Sequence, residues 1–290
     1  MRRSTEALCL GLVQMCSGCK VEQNIKRASS LIRAAHAAGA RFIATPEMTN
    51  ILAERERVVA SVKREDEDPA PRLFGELASE LSIYLLIGSV ALKSEAEALV
   101  NRSLLFAPDG KIAARYDKIH MFDVTLGDGL KFRESDSYRA GSKAVVADIS
   151  WGRIGMTICY DVRFAHLYRS LAQAGAYIIS VPSAFTQPTG EAHWHLLLQA
   201  RAIENAVFIA APAQSGQHEG GRQTYGHSLV VGPWGEILAD AGTEEGIAVV
   251  TIEPKRAAEA RSRLPALSHD TSWELVQVAR SQVMKSHDPL

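Results

Sequence analysis

Cysteine is scarce in this chain of 290 residues, which holds four. Cys9, Cys16, Cys19 and Cys159 are too few for a disulfide framework, so free thiols in a reducing compartment are expected. An excess of one charge is also missing, because 32 basic residues face 33 acidic ones for a net charge of −1. A protein that gains its affinity by neutralising phosphates needs a basic surplus, so no nucleic-acid partner is expected. Long apolar runs are absent too. Crossing a bilayer takes about 20 consecutive apolar residues. The stretch 174–185 comes nearest, and Ser180, Pro182 and Ser183 interrupt it, so no membrane partner is expected. Arg2 and Arg3 ahead of the apolar run 7–13 imitate a secretory signal. Glu6 intervenes, Gln14 ends the run and no small-residue cleavage pattern follows, so the expected location is cytoplasmic.

Several functional signatures are missing as well. No G-x-G-x-x-G follows a strand, and there is no G-x-x-x-x-G-K-[ST], so nothing is built to cradle phosphates. The G-x-S-x-G elbow of serine hydrolases is absent. Cys16-x-x-Cys19 has no second pair to complete a zinc site. His193 and His195 flank Trp194, but two residues apart at a helix start they point different ways. No carboxylate-plus-histidine set at helical spacing joins them, so neither a metal nor another cofactor is expected. The charge run 63–68 reads as a solvated surface.

What is present is a globular composition, 47% apolar and 22% charged, which excludes global disorder. Apolar residues at Val21, Ile25, Ala28, Leu31, Ile32 and Ala35 have helical spacing and predict a helix over 21–38. It lies between strands over 7–13 and 41–45, a β-α-β unit whose strands should be parallel. A charged helix and loop over 54–68, a helix over 71–81 and a strand over 84–92 follow. Pro108-Asp109-Gly110 turns one hairpin (102–106, 111–116) and Trp151-Gly152 another (145–149, 153–159). Helices over 164–174 and 191–205 alternate with strands over 177–181, 207–211, 227–231 and 247–252. Helical crossovers mixed with hairpins predict an α/β protein with mixed sheets covered by helices. No composition break or repeat divides the chain, so one domain over 1–290 is expected, with a core at about 7–253 and a C-terminal helix or arm at about 254–290.

Three segments place a reactive side chain just past a strand, where ligand sites of α/β proteins gather. They end in Glu47, Lys118 and Cys159. A thiol is mostly protonated at neutral pH and needs a base to become a nucleophile. A carboxylate can take that proton, and an ammonium can stabilise first the thiolate and then an oxyanion. A cysteine at a strand-to-helix turn also aims the next backbone N–H, that of Tyr160, at developing negative charge.

Pro46-Glu47, the segment from Tyr116 through Lys118 to Asp123, and the segment from Cys159 to Phe164 resemble the Glu, Lys and Cys motifs of the nitrilase superfamily of carbon–nitrogen hydrolases. The three residues are separated by 71 and 41 positions, which suits that family. Pro182-Ser-Ala-Phe-Thr186, Thr189 to Trp194, Arg201 to Asn205, Tyr225 to Ser228 and Pro233-Trp-Gly235 extend the likeness to the Nit-type amidases, deaminated glutathione amidases above all.

The resemblance implies a four-layer α-β-β-α sandwich with two mixed sheets, and a homodimer or higher homo-oligomer. It also implies hydrolysis of a small-molecule carboxamide to carboxylate and ammonia through a thioester on Cys159. Glu47 would be the general base, and Lys118 and the Tyr160 N–H would hold the oxyanion. Glu134, 16 residues after Lys118, matches a fourth residue that orients Lys118 or substrate, or else sits in a plain ion pair. Phe185 and Thr186 would line the pocket. Arg163 would meet a substrate carboxylate, or pair structurally with Asp161 or another acid. Cys159-Tyr160-Asp161 stands where nitrilases carry Cys-Trp-Glu, which favours an amide over a nitrile. Deaminated glutathione is the first substrate expected, then a short ω-amide such as α-ketoglutaramate, then an N-carbamoyl compound. His166 and His195 depart from the family's usual Glu and put the acyl preference in question. The rivals are a non-catalytic binding protein of the same fold and a zinc hydrolase using His193, His195 and cysteines.

Overall fold

The computed structural model describes residues 7–126, 129 and 131–277. Strand β1 (Leu8–Gln14), helix α1 (Val21–Ala37) and strand β2 (Phe42–Ala44) form the β-α-β unit, with β1 and β2 parallel. Side chains alternate along β1: Leu8, Leu10 and Leu12 face one core, while Cys9 and Val13 face α1. Gly11 lets α1 and the turn after it lie close, because a Cβ there would meet the Ala35 Cβ of α1 at 3.2 Å and the Ala40 Cβ at 2.9 Å. Helices α2 (Arg55–Ser61) and α3 (Pro69–Leu81) precede β3 (Tyr84–Lys93), β4 (Leu99–Phe106) and β5 (Ile112–Asp117). A short ribbon, β6 (Asp123–Thr125) with β7 (Lys131–Arg133), leads to β8 (Val145–Ile149) and β9 (Gly152–Met156).

Helix α4 (Ala165–Gln173), strand β10 (Ile178–Ser180), helix α5 (Gln187–Asn205) and strand β11 (Phe208–Ala211) continue the second half. A second ribbon pairs β12 (Ser215–Gln217) with β13 (Gln223–Tyr225). Then come β14 (Leu229–Val231), β15 (Ile237–Asp240), β16 (Gly246–Ile252) and helix α6 (Lys255–Arg263). One mixed sheet runs β16-β1-β2-β3-β4-β5 and the other β15-β14-β11-β10-β9-β8. Leu10, Leu12, Phe42 and Leu86 of the first share a core with Ile154, Met156 and Ile178 of the second. Helices α1 and α3 cover the first sheet's outer face, through Ile25, Ile32, Phe74 and Leu77. Helices α4 and α5 cover the second sheet. The four layers are thus α-β-β-α.

Departures from the sequence reading have local causes. The charged segment over 54–68 is helical only as α2, and Asp68 instead caps α3, accepting a hydrogen bond from the Ala70 N–H at 3.0 Å. Pro69 then opens that helix, two residues before the expected start. Helix α5 begins at Gln187 rather than Glu191, with Pro188 in its first turn. Strand β9 stops at Met156, so Cys159 lies beyond it in a 3-10 turn. The two ribbons and β15 have only three or four residues per strand, too few for a periodic signal. After α6, a 3-10 turn (Ala266–Ser268) leads to irregular chain over 269–277, where Asp270 pairs with Arg169. The rest of the expected arm lies outside the described residues. Among the described residues, no helix is long and apolar enough to cross a membrane.

Candidate active site

The carboxyl ends of β2, β5 and β9 converge on one cavity of about 360 Å³, and Glu47, Lys118, Cys159 and Glu134 all line it. Such a volume suits a small-molecule ligand. Glu47 is held from three directions. Its Oε1 accepts from Lys118 Nζ at 2.8 Å and Asn101 Nδ2 at 2.9 Å, and its Oε2 accepts from the Ala184 N–H at 2.9 Å. Lys118 is 2% exposed and also donates to both Glu134 oxygens, at 3.0 and 2.8 Å. Glu134 is positioned in turn by the Phe122 N–H at 2.7 Å.

Cys159 is buried and adopts a positive φ of 49°, a strained conformation for a residue with a side chain. Asp161 stabilises the turn. One carboxylate oxygen accepts from the Ile158 N–H at 2.9 Å and the Tyr116 hydroxyl at 2.6 Å. The other accepts from the His120 N–H at 3.1 Å and meets His120 Nδ1 at 2.6 Å. A single buried carboxylate therefore ties the segment bearing Lys118 to the segment bearing Cys159.

The charges follow from this packing. Burial alone would raise the Glu47 pKa, but the Lys118 ammonium outweighs it and holds the carboxyl below its ordinary value. Burial would lower the Lys118 pKa, yet Glu134 and Glu47 together raise it well above the usual lysine value. Burial, and then the charge of Glu47, push the Cys159 thiol up. At neutral pH the site therefore holds a carboxylate, an ammonium and a protonated thiol. Groups in those states are able to supply a general base, an oxyanion partner and a nucleophile.

The other expected residues separate into two groups. Tyr160 and Phe185 line the cavity, whereas Arg163 and Thr186 are not among its lining residues. The pairing of Arg163 with Asp161 does not form, because Asp161 is taken by Tyr116 and His120. The Arg163 guanidinium lies over the rings of Tyr160 and Phe185 instead, with His193 Nδ1 at 3.3 Å. The Thr186 hydroxyl is spent on Thr189, at 2.7 Å, and Thr189 reaches the cavity in its place. His166 is exposed at the edge of the Phe164 ring. His195 meets Asp240 at 3.1 Å, and His227 meets the same carboxylate at 2.9 Å. A histidine–carboxylate set does arise, but across α5 and β15 rather than at helical spacing, and its donor atoms lie within 4.8 Å of one another. Mutual hydrogen bonds satisfy it as it stands. Cys19 and Cys16 pair with Glu219 and His218 on the β12–β13 ribbon.

Asn101, Tyr138 and Arg222 were not anticipated. Asn101 bridges Glu47 and Glu134 from within β4, and Tyr138 and Arg222 line the cavity. Asn101 and Tyr138 carry no sequence pattern, and Arg222 stands out only as a cation in a Gly-rich loop.

Two stacked mixed sheets carry a thiol, a carboxylate and an ammonium together at one end of an α/β fold. Comparison with known proteins agrees. The carbon-nitrogen hydrolase family model matches residues 9–262, and the chain belongs to that family. It is 38% identical to the deaminated glutathione amidase of Yersinia enterocolitica, over 90% of this chain and 92% of that one. It is 36% identical to the omega-amidase NIT2 of Homo sapiens, over 91% of this chain and 95% of the other. Among solved structures it resembles the C. elegans NitFhit protein, at a TM-score of 0.85 and 32% identity. That alignment covers 92% of this chain and 66% of the longer NitFhit chain.

Proposed function

We propose that this carbon–nitrogen hydrolase is an amidase that acts through a thioester on Cys159, with deaminated glutathione as its substrate. The observation that carries the mechanism is the Lys118 ammonium held at 2.8 Å from Glu47 beside a protonated thiol in one cavity. The Glu47 carboxylate takes the Sγ proton as sulfur attacks the amide carbonyl carbon. Lys118 and the Tyr160 N–H receive the oxyanion. The C–N bond then breaks, and Glu47 passes the proton to the leaving nitrogen. Glu47 next deprotonates a water, which attacks the thioester carbon. The C–S bond breaks, the acid leaves and the thiol regains its proton. Glu134 and Asn101 act as positioning residues, because they hold Lys118 and Glu47.

A primary amide releases ammonia, the product expected from the sequence. Deaminated glutathione carries a secondary amide, so its leaving group is the dipeptide amine instead. A second reading, hydrolysis of short ω-amides such as α-ketoglutaramate, is supported by the likeness to the human omega-amidase. Free thiols at all four cysteines support a reducing, cytoplasmic setting. Exposed Leu196 and Ile203 on α5, with Trp234 nearby, support a homodimer built on that face.

The test is mass spectrometry of the protein quenched during turnover, together with product analysis. An acyl adduct on Cys159 is expected, and Cys159→Ala should abolish hydrolysis while leaving the circular dichroism spectrum intact. Turnover near the wild-type rate in Cys159→Ala would refute the mechanism.

A further inference from the structure

Among the described residues, three cations line the cavity: Lys118, Arg133 and Arg222. The Lys118 ammonium is already matched by two carboxylates. Arg133 is exposed to solvent, which weakens whatever it meets. Arg222 stands apart. It is half-buried, and none of the ion pairs among the described residues includes it. Its Nη2 donates to the Ala184 carbonyl, and its guanidinium lies 5.8 Å over the Phe132 ring. Its Nε is buried and has no hydrogen-bond partner among the described residues. A buried donor left unmade on a charged group is costly, and folded proteins rarely leave one without a purpose. A guanidinium presents its donors as a planar fork that matches a carboxylate. The backbone beneath it is held firmly, since the Arg222 carbonyl accepts from the His218 N–H at 2.8 Å, and His218 is itself anchored by Thr224 at 2.7 Å.

The position of Arg222 shows which part of a substrate it meets. Ala184 links it to the base: the Ala184 N–H donates to Glu47 Oε2 at 2.9 Å while the Ala184 carbonyl accepts from Arg222. The charge of Arg222 also contributes to holding Glu47 ionised. Arg222 therefore belongs to the Glu47 side of the cavity. Under the mechanism proposed above, on which this inference rests, Glu47 returns a proton to the departing nitrogen. The group attached to that nitrogen lies on the same side.

We propose that Arg222 forms a subsite for a carboxylate carried by the leaving amine. The substrate class that fits is an amide whose amine half is an amino acid or short peptide with a free C-terminus. Primary amides, which release ammonia, leave Arg222 without its anion. This subsite separates the two activities named for the relatives, because only a peptidyl leaving group brings a carboxylate to it.

Three amides with the same 2-oxoglutaryl acyl half test the idea: a dipeptide amide with a free C-terminus, the same dipeptide amide ending in a carboxamide, and the primary amide. Wild-type kcat/KM is expected to be about 100-fold higher for the free acid than for the carboxamide, with the difference mainly in KM. Arg222→Met should bring those two to the same kcat/KM. Arg222→Lys, which keeps the charge but not the fork, should retain part of the preference. Arg133→Met should keep all of it. Equal losses by Arg222→Met on the acid and the carboxamide would assign Arg222 to holding Ala184 and overturn the subsite. So would a wild type that does not distinguish the two, or one that prefers the primary amide. If wild-type protein hydrolyses none of the three, the amidase reading itself fails, a result distinct from loss of the preference alone.

Discussion

Lys118 touches two carboxylates at once, and this decides the protonation of the site. An ammonium between two acids stays charged, and Glu47 stays ionised despite its burial. The sign for activity follows. Glu47 must be ionised to act as base, and its pKa lies below the ordinary value of 4.5. The acid limb of kcat/KM should therefore fall below that value, with no loss across the neutral range. The Lys118 pKa is raised, so it contributes no alkaline limb below its ordinary 10.5. Lys118→Ala should cost on the order of 10²–10³ in rate, the usual loss of an oxyanion donor. It should also move the acid limb upward, because burial then acts on Glu47 with less opposition. A pH–rate profile of both proteins checks this, and an unmoved limb would show that Lys118 does not control Glu47. At this scale, motif and spacing made Glu47, Lys118 and Cys159 legible in the sequence. Asn101 and Arg222 were not legible, because each matters only through partners 33 or more residues away along the chain.

Strand ends, rather than strands, carry the side chains proposed as catalytic, and two short connections hold them together. Asp161 joins the Lys118 segment to the nucleophile turn. On the other side, β3 bulges at Gly88, where its pairing with β4 shifts register. A Cβ on Gly88 would stand 1.9 Å from the Thr45 carbonyl oxygen and 2.4 Å from the Pro182 Cβ. Thr45 leads into Glu47, and the Pro182 carbonyl accepts from the Cys159 N–H at 2.9 Å. Gly88→Ala should thus wedge base and nucleophile apart. We expect a loss of about 1–3 kcal/mol in urea unfolding, as for other overpacked cores, with kcat falling as well. Unchanged kcat in a destabilised variant would mean that the two segments move together. Most elements were legible from period and turn residues. The two ribbons were not, since three-residue strands carry no period, yet one of them delivers Phe132 and the other precedes and follows Arg222.

Across the whole molecule, helices cover the outer face of each sheet, yet α5 still leaves Leu196 70% and Ile203 50% exposed. Trp234, 60% exposed, follows β14 and lies near Ile203, whose side chain reaches Gly235. A homodimer burying this face predicts that Leu196→Asp combined with Ile203→Asp yields monomers in sedimentation velocity, while a wild-type monomer would remove the proposal. The amino-acid sequence by itself determined the α/β class, the order of the crossovers and the three reactive side chains, because periodicity, turn chemistry and motif spacing are local properties of a chain. Only the tertiary structure decided that Asp161 serves Tyr116 and His120 rather than Arg163, that Lys118 has two acids, and that Arg222 has none among the described residues. Those outcomes depend on the way the two sheets stack and bring distant strand ends within hydrogen-bonding range, and no local pattern encodes such distances.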